Sequence, residues 1–236
     1  MTTPSYIGTG YTSDGQGAVS LKISARMKIA SRLKVNIGTP GSLFLTPTYG
    51  TNVAGDLFLA EVYARNLSSA LVVPDGWTQH AGPSTFGNSS SYWLTRDARS
   101  SGGEMGGAVF AVGANSGLAA IHTFRDVALA AFFESLSNDG SAINTFTVNA
   151  PTVNASGNDR LAVAAGGAGE IVTVSAFTGQ TGGTWVLNYS EFTIVGNNSS
   201  MWLQTADLSG GGTISGGSYL MSSEENWSQQ GFALVG

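Results

Sequence analysis

The stretch Leu21-Lys22-Ile23-Ser24-Ala25-Arg26-Met27-Lys28-Ile29-Ala30-Ser31-Arg32-Leu33-Lys34-Val35 decides the fold class. Its odd positions read Leu, Ile, Ala, Met, Ile, Ser, Leu, Val, and its even positions read Lys, Ser, Arg, Lys, Ala, Arg, Lys. Apolar and polar residues thus alternate with a period of two, the period of a β-strand with one face on a core. Helix is the competing reading, because Ala, Leu, Met, Lys and Arg are good helix formers and Ile23, Met27 and Ala30 share a helical face. The alternation along the whole stretch favours the strand.

The same stretch holds five of the ten basic residues of the chain: Lys22, Arg26, Lys28, Arg32 and Lys34. Residues 1–125 carry 9 Lys/Arg against 6 Asp/Glu (+3) and residues 126–236 carry 1 against 9 (−8), giving the net −5. A general nucleic-acid binder would be basic throughout, and this chain has a pI of about 4.8. Two readings of the cationic face remain: a solvated strand face that discourages edge-to-edge aggregation, or an interface laid against an acidic partner surface. The acidic remainder of the chain makes a second copy one such partner, and these five residues are the expected partner interface.

Outward from this stretch, composition points the same way. In 236 residues, 42% are hydrophobic, 11% are charged and 33 are glycine, a charge content under half of the roughly 25% usual for soluble domains. Abundant Gly, Ser, Thr and Asn with little Lys or Glu argues against helices. With no cysteine, disulfides, thiolate metal sites and cysteine nucleophiles are excluded. The opening Met1-Thr2-Thr3-Pro4 has neither the charged nor the apolar region of a secretory signal, and no window approaches 18 apolar residues. A soluble, non-exported protein is the expectation.

Beyond residue 40, short β-like runs are expected at Ser42–Leu45, Leu57–Ala64, Ser91–Arg96, Ala108–Val112, Ala119–Phe124, Ile143–Val148, Leu161–Ala165, Ile171–Ala176, Thr184–Tyr189, Phe192–Val195, Ser200–Thr205, Ser218–Met221 and Gly231–Val235. Turn chemistry separates them, as at Pro74-Asp75-Gly76, Gly87-Asn88, Asn138-Asp139-Gly140 and Gly182-Gly183. Val127–Leu136 is the one helix candidate, with buried strand and crossover as alternatives.

A weak internal echo organises the runs. Gly55-Asp56-Leu57-Phe58-Leu59-Ala60 is echoed by Asn158-Asp159-Arg160-Leu161-Ala162-Val163, Trp77 by Trp185, and Asn88–Thr95 by Asn197–Gln204, the last aligning Trp93 with Trp202. The expected organisation is an arm and basic strand over 1–40, then a β-sandwich over 41–236 made of pseudo-repeats at about 41–130 and 131–236. Each repeat supplies a sheet, and Trp77, Trp93, Trp185 and Trp202 belong in the core or rim.

Pro4-Ser5-Tyr6-Ile7-Gly8-Thr9-Gly10, Gly15-Gln16-Gly17-Ala18-Val19, Ala54-Gly55-Asp56-Leu57-Phe58-Leu59, Pro74-Asp75-Gly76-Trp77-Thr78 and Ile121-His122-Thr123-Phe124-Arg125-Asp126 follow in order. Together they resemble the successive signatures of a family of tailed-bacteriophage virion proteins. Asp126 departs from the usual Gly, and the basic stretch departs from an Ala/Thr/Pro-rich segment. The resemblance implies an all-β, jelly-roll-like antiparallel sandwich with a structural or host-recognition role on the particle.

Catalytic chemistry is thin. His80 and His122 have no neighbouring nucleophile arrangement, and a His inside a strand pattern is ordinarily a tolerated side chain. No phosphate-binding glycine loop or nucleophile elbow occurs. Asp97/Glu104 and Glu224/Glu225 are the acid pairs a glycosidase would need, but any β-protein with 15 acids offers such pairs. No cofactor, metal, nucleic-acid or membrane partner is expected, and no enzyme. Three functions survive. The first is a capsid decoration (cement) protein on the outer surface of the head, a homotrimer whose partners are the major capsid protein and copies of itself. The second is a tail-fibre or receptor-binding protein for a host glycan, and the third is a carbohydrate-binding or bacterial surface module. The short chain and the basic segment favour the first.

Overall fold

The structure is a computed structural model that describes residues 11–13, 19–21, 26–30 and 97 as backbone, and 43–45, 47, 52, 54–96, 107–125, 127–128, 132–194, 198–208 and 210–236 in full. All regular structure in these residues is β, with no helix. The strands of the first half are β1 (Tyr11–Ser13), β2 (Val19–Leu21), β3 (Arg26–Ala30), β4 (Leu43–Leu45), β5 (Leu57–Arg65), β6 (Ser69–Val72), β7 (Thr78–Phe86), β8 (Ser89–Asp97), β9 (Phe110–Gly113) and β10 (Ser116–Arg125). Those of the second half are β11 (Phe133–Asn149), β12 (Val153–Ala155), β13 (Arg160–Ala168), β14 (Thr178–Thr181), β15 (Val186–Thr193), β16 (Ser199–Asp207) and β17 (Gly212–Val235).

Every pairing is antiparallel. One large sheet runs β3-β10-β5-β8-β7 and the other β11-β17-β13-β16-β15, with β12 and β14 also on β17. A small sheet, β4-β9-β6, and the β1-β2 pair complete the set.

The two large sheets pack face to face through Leu57, Leu59, Trp93 and Phe124 on one side and Val163, Ala165, Leu203, Phe232 and Leu234 on the other. Trp93 stacks on Phe232, with centroids 4.0 Å apart. Each large sheet also buries its outer face. Phe58, Ala60, Val62, Tyr92, Leu94 and Ile121 pack beneath the small sheet, while Ala162, Ala164, Trp202 and Ala233 pack beneath Val153, Phe177, Ile214 and Tyr219. Burying such a side chain contributes roughly 1.5–3 kcal/mol, so central strands covered on both faces are strongly held. They therefore read as nearly unbroken apolar runs.

Several details differ from expectation. Trp93 packs between the two large sheets, whereas Trp202 packs on the outer face of its sheet, so the two tryptophans that the echo aligns face different cores. Val127–Leu136 contains no helix among its described residues, and β11 begins at Phe133. Asn138-Asp139-Gly140 is no turn: it continues β11, opposite Gln230, Gln229 and Ser228 of β17. Phe192 and Thr193 close β15 instead of opening a separate strand.

Ile171–Ala176 is irregular, and side chains satisfy several of the backbone amides in and just after it. Ser200 Oγ accepts from the Val172 N–H (3.0 Å), Ser222 Oγ from Thr173 (3.0 Å) and Gln204 Oε1 from Phe177 (3.0 Å). Polar side chains on the neighbouring strands thus replace a ladder. The expected arm over 1–40 is described only at β1, β2 and β3.

Candidate interaction surfaces and buried polar sites

Of the five expected interface residues, Lys22, Arg32 and Lys34 lie outside the described residues, and Arg26 and Lys28 lie on β3, the edge of its sheet. The register sets Arg26 opposite Arg125, Met27 opposite Phe124, Ile29 opposite Thr123 and Ala30 opposite His122. Lys28 has no partner: it is the extra residue of a bulge, and the period of two breaks there.

Arg125 stands opposite another arginine with its own charge already engaged. It donates from Nε to Asp56 Oδ1 (2.7 Å) and from a terminal nitrogen to Oδ2 (2.9 Å), a bidentate pair between the end of β10 and the start of β5. Asp56 is buried. These two residues belong to the Ala54-Gly55-Asp56 and Phe124-Arg125 motifs, so the fold joins stretches about 70 residues apart in sequence. At Pro74-Asp75-Gly76-Trp77 the Trp77 amide donates to the Pro74 carbonyl (3.1 Å), Gly76 takes a positive φ of 79°, and Trp77 meets Phe110 edge-on. The glycine is what allows that φ.

One acid was not singled out in the sequence. Glu61 of β5 and His122 of β10 are both buried between the sheets, with Glu61 Oε2 3.5 Å from His122 Nε2. Burial pushes the Glu61 carboxyl well above the usual carboxylate range, and the Gly166 backbone offsets this only in part. Burial lowers His122 to about 3. Burial thus disfavours the charged form of each, and the Tyr189 ring meets the His122 ring edge-on. A lone carboxylate in the apolar run Leu57–Ala64 was the available signal. His80, by contrast, is half-buried, contacts Thr95 Oγ1 at 2.6 Å and lies against Trp93, Phe132 and Phe133; burial lowers its pKa.

Polar contacts rim the apolar interface. Arg65 donates to Glu170 (2.8 Å) and lies 3.9 Å from Glu225, while Asn198 also donates to Glu170 (3.0 Å). Hydrogen bonding to Arg65, the main cause, lowers the Glu170 pKa, whereas desolvation raises that of Glu225. Ser89 bonds the Tyr63 hydroxyl (2.6 Å) and donates to the Asn226 carbonyl (2.8 Å), and Gln230 donates to Ser84 Oγ (3.1 Å) and the Ser91 carbonyl (3.0 Å). These bonds fix how one sheet sits on the other.

Exposed apolar side chains include those of β11 and β17, such as Ile143, Phe146 and Leu220, and two further groups. On the outer face of the small sheet, Phe44 and Val72 flank Ala111 in register, with Val109 two residues before it. Phe44 is 46% exposed, Val109 52% and Val72 64%. On β15, Val186 and Phe192 are exposed, as is Ile194 just beyond it. Among the described residues, no group of three or more His, Cys, Asp or Glu is placed to hold a metal ion. Comparison with protein-family models, with curated proteins and with solved structures finds no match to the chain.

Proposed function

We propose that this chain is a non-catalytic structural protein of a tailed-phage particle, a decoration (cement) protein that binds the assembled head shell and secures it. The observation that carries this reading is the apolar strip Phe44–Ala111–Val72 with Val109, held rigidly on a small sheet whose inner face is core. Exposed apolar surface on a stiff scaffold suits a protein that works by contact area. The ordered motifs of residues 4–126, and the shared strand order of the two large sheets read as two copies of one unit, support the same proposal.

A cement protein acts by linkage. Binding the shell but not its separated subunits stabilises assembly by RT ln(1 + [L]/Kd) per site, about 2.7 kcal/mol when free protein is 100 times Kd. Particles lacking the protein should assemble yet lose their genome at lower temperature, and adding the purified protein back should restore resistance. Particles that keep their heat resistance but no longer adsorb to cells would replace this reading with a tail-fibre one.

A further inference from the structure

We propose that residues 169–177 form a strap that lifts as one unit from the outer face of the second large sheet while both of its ends stay anchored, uncovering Trp202. The two halves of the chain show why this stretch is held differently from its surroundings. In the first half β6 follows β5 and pairs with β9, which lies between β8 and β10. In the second half the stretch that follows β13 pairs with no strand among the described residues, and only residues 208–211 separate β16 from β17. That connection is too short to supply a counterpart of β9. Side chains take the place of the missing ladder.

Ser200 Oγ accepts from the Val172 N–H and donates to the Glu170 carbonyl (2.7 Å), while Gln204 accepts from the Phe177 N–H and donates to the Ser175 carbonyl (3.1 Å). Ser200, Trp202 and Gln204 stand two residues apart on β16 and so share one face. The strap therefore runs along β16 with Trp202 beneath its middle, in the outer core that Val172 and Phe177 also enter. Ala164, opposite Gln204 in register, belongs to that core too. At one end the Gly169 N–H donates to the Asn226 carbonyl (3.3 Å), and Arg65 and Asn198 hold Glu170. At the other end Thr178 opens β14, opposite Ser218 of β17. Between these anchors Ile171, Thr173 and Ser175 are exposed, and the main chain is held by Ser200, Gln204 and Ser222. β16 beneath is laddered on both edges and buried on both faces. A stretch with few buried contacts over a fully paired strand opens below the free energy of global unfolding. This inference does not depend on the virion reading.

The test is thiol labelling and hydrogen exchange of the full chain under native conditions. The chain has no cysteine, so Ala164→Cys places a single thiol under the strap and Ala165→Cys places one in the central interface. The first should react with a thiol reagent about tenfold faster than the second, or more. Gln204→Leu, which removes both of that side chain's bonds to the strap, should speed the reaction at Ala164→Cys about tenfold further, without the same gain at Ala165→Cys. In the unmodified chain the Val172, Thr173 and Phe177 amides should exchange with one common opening constant, larger than that of the β16 amides. Equal labelling of the two thiols, an equal effect of Gln204→Leu on both, strap amides that exchange only with β16, or three unrelated opening constants would each overturn the proposal.

Discussion

Glu61 Oε2 and His122 Nε2 lie 3.5 Å apart on adjacent strands of one sheet, buried beneath the other sheet. Burial disfavours the charged form of each, and their proton balances run in opposite directions. Below about pH 6.5 the unfolded chain protonates His122 while the folded one does not until about 3, so stability falls on acidification. Above about 4.5 the unfolded chain ionises Glu61 while the folded one keeps it protonated, so stability falls as pH rises. Between the two ordinary values each contributes one proton of opposite sign, and the pair cancels.

Removing one partner should expose the other's slope. Glu61→Gln should be more stable relative to wild type at pH 8 than at pH 4. Between pH 6.5 and 4.5 it should lose stability on acidification more steeply than wild type. Urea midpoints at the two pH values check this; an equal shift at both would show that Glu61 does not titrate on unfolding.

His122→Gln is the mirror case. Lacking the depressed imidazole, it should gain stability relative to wild type as pH falls from 6.5 towards 3. Melting temperature against pH reads it out, and parallel curves for variant and wild type would contradict the assignment.

Contact between the sheets is tight at Gly167, where an added Cβ would meet the Tyr63 ring and the Ser200 carbonyl. Gly167→Ala should cost about 1–3 kcal/mol. Gly210→Ala, whose Cβ meets nothing within 4 Å, should stay within about 0.5 kcal/mol. Denaturant unfolding of both variants makes the comparison, and equal effects would mean that the sheets can move apart at Gly167.

Each half of the chain has an outer core of its own but shares the central one. Residues 1–130 and 131–236 expressed apart should aggregate, because Leu57, Leu59, Trp93 and Phe124, or Val163, Leu203 and Phe232, would face water. Co-expressed, they should assemble into one soluble complex. Two halves that are each monomeric and melt cooperatively would show that the central interface is dispensable.

The sequence was legible where physics is local. Alternation, glycine-rich turns and low charge led to an all-β antiparallel fold, and the tryptophans marked the core: Trp77, Trp93, Trp185 and Trp202 are all buried. It was illegible where distant residues decide. Nothing local shows that Ser200 and Gln204 take the amides of Val172 and Phe177 and keep Ile171–Ala176 out of a ladder. The pairing of Asn138 with Gln230 likewise overrides a turn signal at Asn138-Asp139-Gly140. Two-sided burial hid which face each residue of the central strands takes, so Trp93 and Trp202 looked equivalent. The same burial turned Glu61 from an ordinary acid into a buried one.

The claim that this is a contact protein of the phage head is tested most directly by imaging intact particles by electron cryomicroscopy and locating this chain on them. Copies on the outer surface of the icosahedral shell, seated through the face that carries Phe44, Val72 and Val109, are the predicted result. Copies confined to the tail, or particles that lack the chain altogether, would contradict it.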